Sequence, residues 1–281
     1  MKINIKIINE LLLLEMIVVL VPQVFIGYLA SGSNNIILFL YASFMIIIVD
    51  FIGNIVNHYA DWELDEENNK RLELHEAFSK KSLLIISFFL MIILFLMMLI
   101  NTYLIIITLI GFGCAIFYSL IFKLKDKFFV NSLTLGIAYA LVPYSTGYFV
   151  ANTKLEQFFE LFWIPLYLLI LMMVVSMIKD YEDEKGDRKF NKKTLVTVFG
   201  KQKALIIQTL SLITLYCFLI IWNMLLSKFI ILLLLIPFMM FLFIFYKMNQ
   251  AETSEECHKV HMKTHIVVLI SYIVLIPYFY L

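Results

Sequence analysis

The sequence predicts an all-α, polytopic membrane protein: nine transmembrane helices in one bundle, with the N-terminus on the cytoplasmic side. Three observations predict it. Of 281 residues, 62% are hydrophobic and mean hydropathy is +0.92, well above the roughly 45–50% apolar share of soluble domains. The apolar residues recur in runs of about 20, the length that crosses a hydrocarbon core about 30 Å thick. Charge falls between the runs with a strong bias: 20 of the 22 Lys and Arg lie in alternate connections, as the positive-inside rule requires of cytoplasmic loops.

In chain order the expected spans are 11–31, 36–57, 82–101, 103–121, 129–150, 158–178, 204–222, 229–246 and 264–281. The first is no cleaved leader, because Glu10 and Glu15 interrupt its start and no small-residue cleavage site follows. The inner segments are 1–10, 58–81, 122–128, 179–203 and 247–263, and only Lys154 and Lys228 fall outside them. Outer connections such as Ser31–Asn35 are short and nearly uncharged. With a net charge of +1, and its cations assigned to topology, the chain has no nucleic-acid surface and no evident obligate protein partner; its surroundings are the lipid bilayer. Cys114, Cys217 and Cys257 are isolated, so they support neither a disulfide framework nor a zinc pattern.

One domain, 1–281, is expected. The two longest polar segments follow the second and sixth spans, four spans apart, and each opens with acids. That recurrence suggests two pseudo-equivalent halves, about 1–128 and 129–281, each contributing an acid cluster to one cavity on the cytoplasmic side.

The first cluster continues a polar stripe. Asp50, Asn54, Asn57, Asp61 and Asp65 are spaced by 4, 3, 4 and 4 residues, which places them on one face of a helix. An acid inside a span is costly unless it faces an interior or wet cavity. Asn54 and Asp50 fit a hydrogen-bond ladder between helices. Asp61 and Asp65 do not, since carboxylates one turn apart repel without a cation, and they are read as a metal site. Glu63, Glu66 and Glu67 point elsewhere and are read as solvated.

The second cluster, Asp180, Asp183 and Asp187, repeats the spacing of 3 then 4. All-oxygen ligand sets suit Mg2+, which commonly takes one or two carboxylates together with substrate phosphates; zinc favours His or Cys. Lys179 either pairs with a neighbouring acid or reaches a phosphate. The run from Arg188 to Lys193 either anchors the loop at the membrane or contacts phosphate oxygens. Lys123 and Lys125, in the basic connection after Tyr118, are further diphosphate contacts, where a cation stabilises a leaving group as its charge develops. His258, His261 and His265 share a helical face beside Cys257; an interfacial amphipathic turn is the preferred reading there, with a metal site as the lesser one.

Asn57-x-x-x-Asp61-x-x-x-Asp65 together with Asp180-x-x-Asp183-x-x-x-Asp187 resembles the paired signatures of the UbiA superfamily of intramembrane prenyltransferases. Thr194-Leu-Val-Thr-Val-Phe-Gly200 is similar to the continuation of its second motif, and Tyr118-Ser119 with Lys123-Leu-Lys125 to its YS and RLK segment. The chain departs from the pattern at His58, where many members have Asp, and at Lys123, where Arg is usual. It also lacks the Arg-Pro-Leu that follows the first motif in several quinone enzymes.

The resemblance implies that Mg2+ is held by Asp61, Asp65, Asp180, Asp183 and Asp187. It implies that Asp61, Asp65, Asp183 and Asp187 are catalytic, and that Asn57, Tyr118, Lys123, Lys125 and Arg188 meet the diphosphate. The donor would be a prenyl diphosphate, ionised to an allylic carbocation that alkylates an aromatic or lipid-like acceptor. Asn54-x-x-Asn57 is similar to the 1,4-dihydroxy-2-naphthoate branch, which serves menaquinone synthesis. The stretch from Lys179 to Asp187 is closer to the homogentisate and archaeal lipid branches. The reading chosen is an aromatic or quinone-precursor prenyltransferase of a bacterial cell membrane, with a lipid-pathway acceptor as the variant within the family. From another class, a cation-coupled transporter would use Asp50, Asp61 and Asp183, but most acids sit at the rim and only 9 glycines are present, whereas transporters favour broken helices at the midplane.

Overall fold

The computed structural model describes residues 5–67, 72–225 and 231–280, and among them every regular element is helical. Lys228 and the ends of the expected spans at 229 and 281 lie outside the described residues. By length and composition 6 described helices can cross a membrane, or 7 if Trp163–Ser176 and Asp180–Lys189, bent by 56° at their junction, form one span.

Among the described residues three of the nine expected spans do not form single helices of crossing length, for local reasons. The first expected span holds an apolar helix of only 14 residues, Ile17–Ala30, set off from Ile5–Leu12 by Leu13 at φ +45° and a 3-10 turn. The fifth is divided into Val130–Gly136, a π-helical turn at Ile137–Leu141, and Val142–Phe149. The sixth is divided by a turn at 161–162 between Leu155–Glu160 and Trp163–Ser176, the latter only 14 residues long and bent at its far end from Asp180–Lys189. A hydropathy run reports apolar length, not whether the backbone inside it stays straight.

The chain packs as two compact units: Met1–Leu124 with Val142–Leu155, and Lys125–Leu141 with Glu156–Leu281. In the first, the 32-residue helix Ile36–Glu67 is the spine, packed by Ile17–Ala30, Lys80–Met98 and Thr102–Ile116. Ile17–Ala30 and Val142–Phe149 cross backbone to backbone. A Cβ on Gly27 would lie 2.0 Å from the Tyr144 carbonyl oxygen, and one on Gly147 would lie 2.0 Å from that of Val24. Only glycine permits this approach, which is how helices gain packing where lipid removes the hydrophobic drive. Asn101 donates to the Phe149 carbonyl (2.8 Å) and Asn152 to that of Ser31 (3.1 Å), so carbonyls at two helix ends are satisfied. Large apolar side chains on Lys80–Met98, such as Phe88, Phe89 and Leu96, are exposed, as suits a lipid-facing surface.

In the second unit, Trp163–Ser176 packs on Val130–Gly136 and on Lys201–Leu225, and Ile231–Gln250 joins the latter to Ser254–Ile273. Asp180–Lys189, which carries the second acid cluster, lies against Ser254–Ile273 and the short Leu195–Phe199 helix.

Candidate functional site

The first cluster sits where the spine helix runs on past the apolar segment, unbroken as far as Glu67. Its inner part is a packing ladder, as the spacing suggested: the Asn54 amide donates to Asp50 Oδ2 (3.1 Å) and to the Leu12 carbonyl (3.0 Å). One turn on, Asn57 Oδ1 accepts from the Ser119 hydroxyl at 2.9 Å. Ser119 is buried and lies in the π-helical turn Phe117–Ile121. The widened turn thus brings the Tyr118-Ser119 pair to the first acid motif, with Ser119, not Tyr118, making this bond. Asp61 is half-buried and Asp65 buried, whereas Glu63 and Glu66 are exposed. Those two are nonetheless engaged: Lys80 pairs with Glu63 at 2.7 Å, and the Trp62 indole donates to Glu66 at 2.8 Å while stacking on His75. His58, which replaces the commoner acid, is buried.

The second cluster occupies a helix of ten residues, Asp180–Lys189. Tyr181 anchors it by donating to the buried Gln208 on Lys201–Leu225 (2.7 Å). Asp187 is buried, Asp180 half-buried and Asp183 exposed. Burial pushes the Asp180 carboxyl up to about 7, and the charges of Asp187 and Asp183 add to the rise against a backbone hydrogen bond from Leu195 and the charge of Lys179. Burial also raises Asp187, with Lys192 opposing it. Acids crowded enough to resist ionisation are stabilised by a multivalent cation, and with only oxygen donors in both clusters the residues fit Mg2+.

The cations divide differently from the expectation. Lys179 lies 4.0 Å from Asp183, and Lys192 approaches Asp187 to 3.6 Å. Arg188 turns away from the acids of the motif: it pairs with Glu184 at 2.9 Å and donates to the carbonyls of Thr197 and Val196. The four-residue spacing of Glu184 and Arg188 is the signal in the sequence that points to this pairing. Lys123, exposed and at φ +45°, follows the π turn in the first unit; Lys125, half-buried, lies in a 3-10 turn that begins the second.

The Thr194 to Gly200 continuation has a plain structural role. Thr194 caps Leu195–Phe199 in a capping box with Thr197, and Gly200 ends it at φ +77°, where a side chain would be strained. This cap holds Leu195 where its N–H meets Asp180.

The second unit also has an open apolar groove of about 630 Å³ between Trp163–Ser176 and Lys201–Leu225, lined by Leu166, Ile170, Leu210, Thr214 and Phe218 among others. The Tyr167 and Tyr216 hydroxyls lie 3.2 Å apart at the same pair of helices.

Comparison with known proteins gives the family. Residues 19–267 match the UbiA prenyltransferase family. The chain belongs to that family. As a UbiA member it is an integral, multi-pass membrane prenyltransferase, which removes the transporter reading. It is 25% identical over 240 residues to the digeranylgeranylglyceryl phosphate synthase of Methanosphaera stadtmanae, covering 82% of this chain and 84% of the relative. A solved structure of a digeranylgeranylglyceryl phosphate synthase superposes with a TM-score of 0.72 at 22% identity, covering 97% of each chain. The UbiA homolog of Archaeoglobus fulgidus, bound to GPP and Mg2+, gives a TM-score of 0.65 at 12% identity over 96% of this chain and 99% of that one. The last two show a shared UbiA fold. Both curated relatives are digeranylgeranylglyceryl phosphate synthases, so these comparisons give no support to the naphthoate branch, to menaquinone or ubiquinone synthesis, or to a bacterial setting.

Proposed function

We propose that this UbiA protein transfers a prenyl group from a prenyl diphosphate to a glycerol phosphate lipid, with Mg2+ as cofactor. The observation that carries the acceptor is the relationship to digeranylgeranylglyceryl phosphate synthase over 82% of the chain. The metal assignment rests on two oxygen-only clusters, one containing a carboxyl pushed up to about 7, and on the homolog bound to GPP and Mg2+. Asp61, Asp65, Asp180, Asp183 and Asp187 would hold the metal, and when bound it neutralises charge on the departing diphosphate.

The chain's own residues do the remainder. Asn57, fixed by Ser119, and the cations Lys123, Lys125 and Lys192 orient and balance the diphosphate. Arg188 braces the second motif through Glu184 and the carbonyls of Val196 and Thr197. The apolar helices keep water from the allylic cation, and the groove between Trp163–Ser176 and Lys201–Leu225 takes an isoprenoid chain. The allylic C–O bond breaks with its electron pair leaving on diphosphate, the acceptor hydroxyl oxygen forms the new ether bond, and that hydroxyl loses its proton. The charge bias of the loops supports a cytoplasmic side for both acid clusters.

The test is a detergent-solubilised assay that crosses prenyl diphosphates of several lengths with a prenylated glycerol phosphate and with aromatic acids, with and without Mg2+. Diphosphate release and an ether-linked lipid product are expected only with the glycerol phosphate acceptor and Mg2+. Prenylation of an aromatic acid with the lipid acceptor untouched would overturn the reading.

A further inference from the structure

We propose that Glu182, His258 and His261 form a second metal site, for a transition-metal cation of the Zn2+ class, distinct from the aspartate clusters. Glu182 lies on the Asp180–Lys189 helix, two residues from Asp180 and so on the face opposite Asp180, Asp183 and Asp187. His258 and His261, three residues apart on Ser254–Ile273, share a face. Both imidazoles reach the same carboxylate oxygen: His258 Nδ1 lies 2.8 Å and His261 Nδ1 3.2 Å from Glu182 Oε2.

The three groups offer ligand atoms that all lie within 4.8 Å of one another. A tetrahedral ion with bonds of about 2.0–2.2 Å needs its ligand atoms roughly 3.3–3.6 Å apart, a spacing reached by small side-chain rotations. The site is built, not merely crowded. The Glu182 and His261 side chains are 12% and 14% exposed while His258 is 57% exposed, leaving one side open to water for a fourth ligand. The Ser254 hydroxyl donates to the Glu182 carbonyl at 2.6 Å and fixes the two helices in register. The neighbouring cation Lys259 is held off by Glu255 at 2.6 Å.

Ligand chemistry separates the two kinds of site. Imidazole nitrogen selects Zn2+, Co2+ or Ni2+ over Mg2+, and all-carboxylate clusters do the reverse. An ion here clips the Asp180–Lys189 helix to Ser254–Ile273 from the side opposite the catalytic acids.

The test uses the full chain in detergent, stripped with chelator and titrated with Co2+, whose visible absorption is intense in four-coordinate and weak in six-coordinate sites. One equivalent of four-coordinate Co2+ is expected, displaced by Zn2+ and not by millimolar Mg2+. His258→Ala and His261→Ala each weaken it by about tenfold or more, while Asp61→Asn and Asp183→Asn leave it intact. Should His261→Ala fail to fold, the exposed His258 carries the test, with His258→Cys retaining Co2+ and adding a thiolate charge-transfer band. A six-coordinate spectrum, displacement by Mg2+, or binding indifferent to His258 overturns the proposal and leaves the trio as a hydrogen-bonded clasp. The readout is binding alone, so it is independent of whether the prenyl transfer reading stands.

Discussion

Asp180→Asn is the most informative single change. The native carboxyl is raised from 3.8 to about 7 by burial and by its acidic neighbours. At about 1.36 kcal/mol per unit, ionising it in the metal-free fold costs on the order of 4 kcal/mol, an upper figure because local relaxation absorbs part. The sign follows from proton binding. The folded state binds the proton more tightly than the unfolded state, so the metal-free protein loses stability as pH rises from about 4 to about 7 and bears the full penalty above that. Asn has nearly the same shape and no charge to bury. In chelator at about pH 8, thermal unfolding in detergent is expected to occur several degrees higher for Asp180→Asn than for the native chain. The two should converge at about pH 4, where Asp180 is protonated. Mg2+ should raise the native melting temperature at the higher pH and raise that of the variant less. Equal or lower stability of the variant at high pH in chelator, or equal stabilisation of both by Mg2+, refutes the reasoning.

Asp183 is exposed, so Asp183→Asn is expected to leave thermal stability within about 0.5 kcal/mol while abolishing Mg2+-dependent diphosphate release. Ser119→Ala removes the donor to Asn57 and is expected to cost about 1 kcal/mol, read by thermal unfolding; the activity assay should show a further loss if Asn57 orients substrate, with Ser119→Thr rescuing both. Gly147→Ala sets a Cβ against the Val24 carbonyl at 2.0 Å, and because backbone cannot yield cheaply the cost should reach or exceed the roughly 1–3 kcal/mol of ordinary overpacking, seen as a lower melting temperature. Thr194→Ala removes the cap of Leu195–Phe199 at about 1 kcal/mol; Thr194→Ser should keep both stability and the pH dependence set by Asp180.

The sequence by itself determined the class of molecule and the polar stripe that matters. Apolar runs and loop charge follow from the solvent on each side of the chain, and these are local quantities. The spacing from Asp50 to Asp65 fixed one helical face, because side-chain direction repeats every 3.6 residues whatever the helix packs against; the structure accordingly keeps Asn54 and Asp50 together as a ladder. Local pattern does not report where a helix gives way. The π turns at Phe117–Ile121 and Ile137–Leu141 and the 56° bend after Ser176 are such places; among the described residues 6 or 7 helices are long and apolar enough to cross a membrane, against nine apolar runs in the sequence. Pairings across helices were likewise beyond the sequence. Arg188 was free to meet a phosphate until the Val196 and Thr197 carbonyls came within reach. The histidines read as an amphipathic turn until folding brought Glu182, 76 and 79 residues away, to their ring nitrogens. Composition and period decide which residues must leave water and which share a face; only packing decides which faces meet, because that depends on every other helix at once.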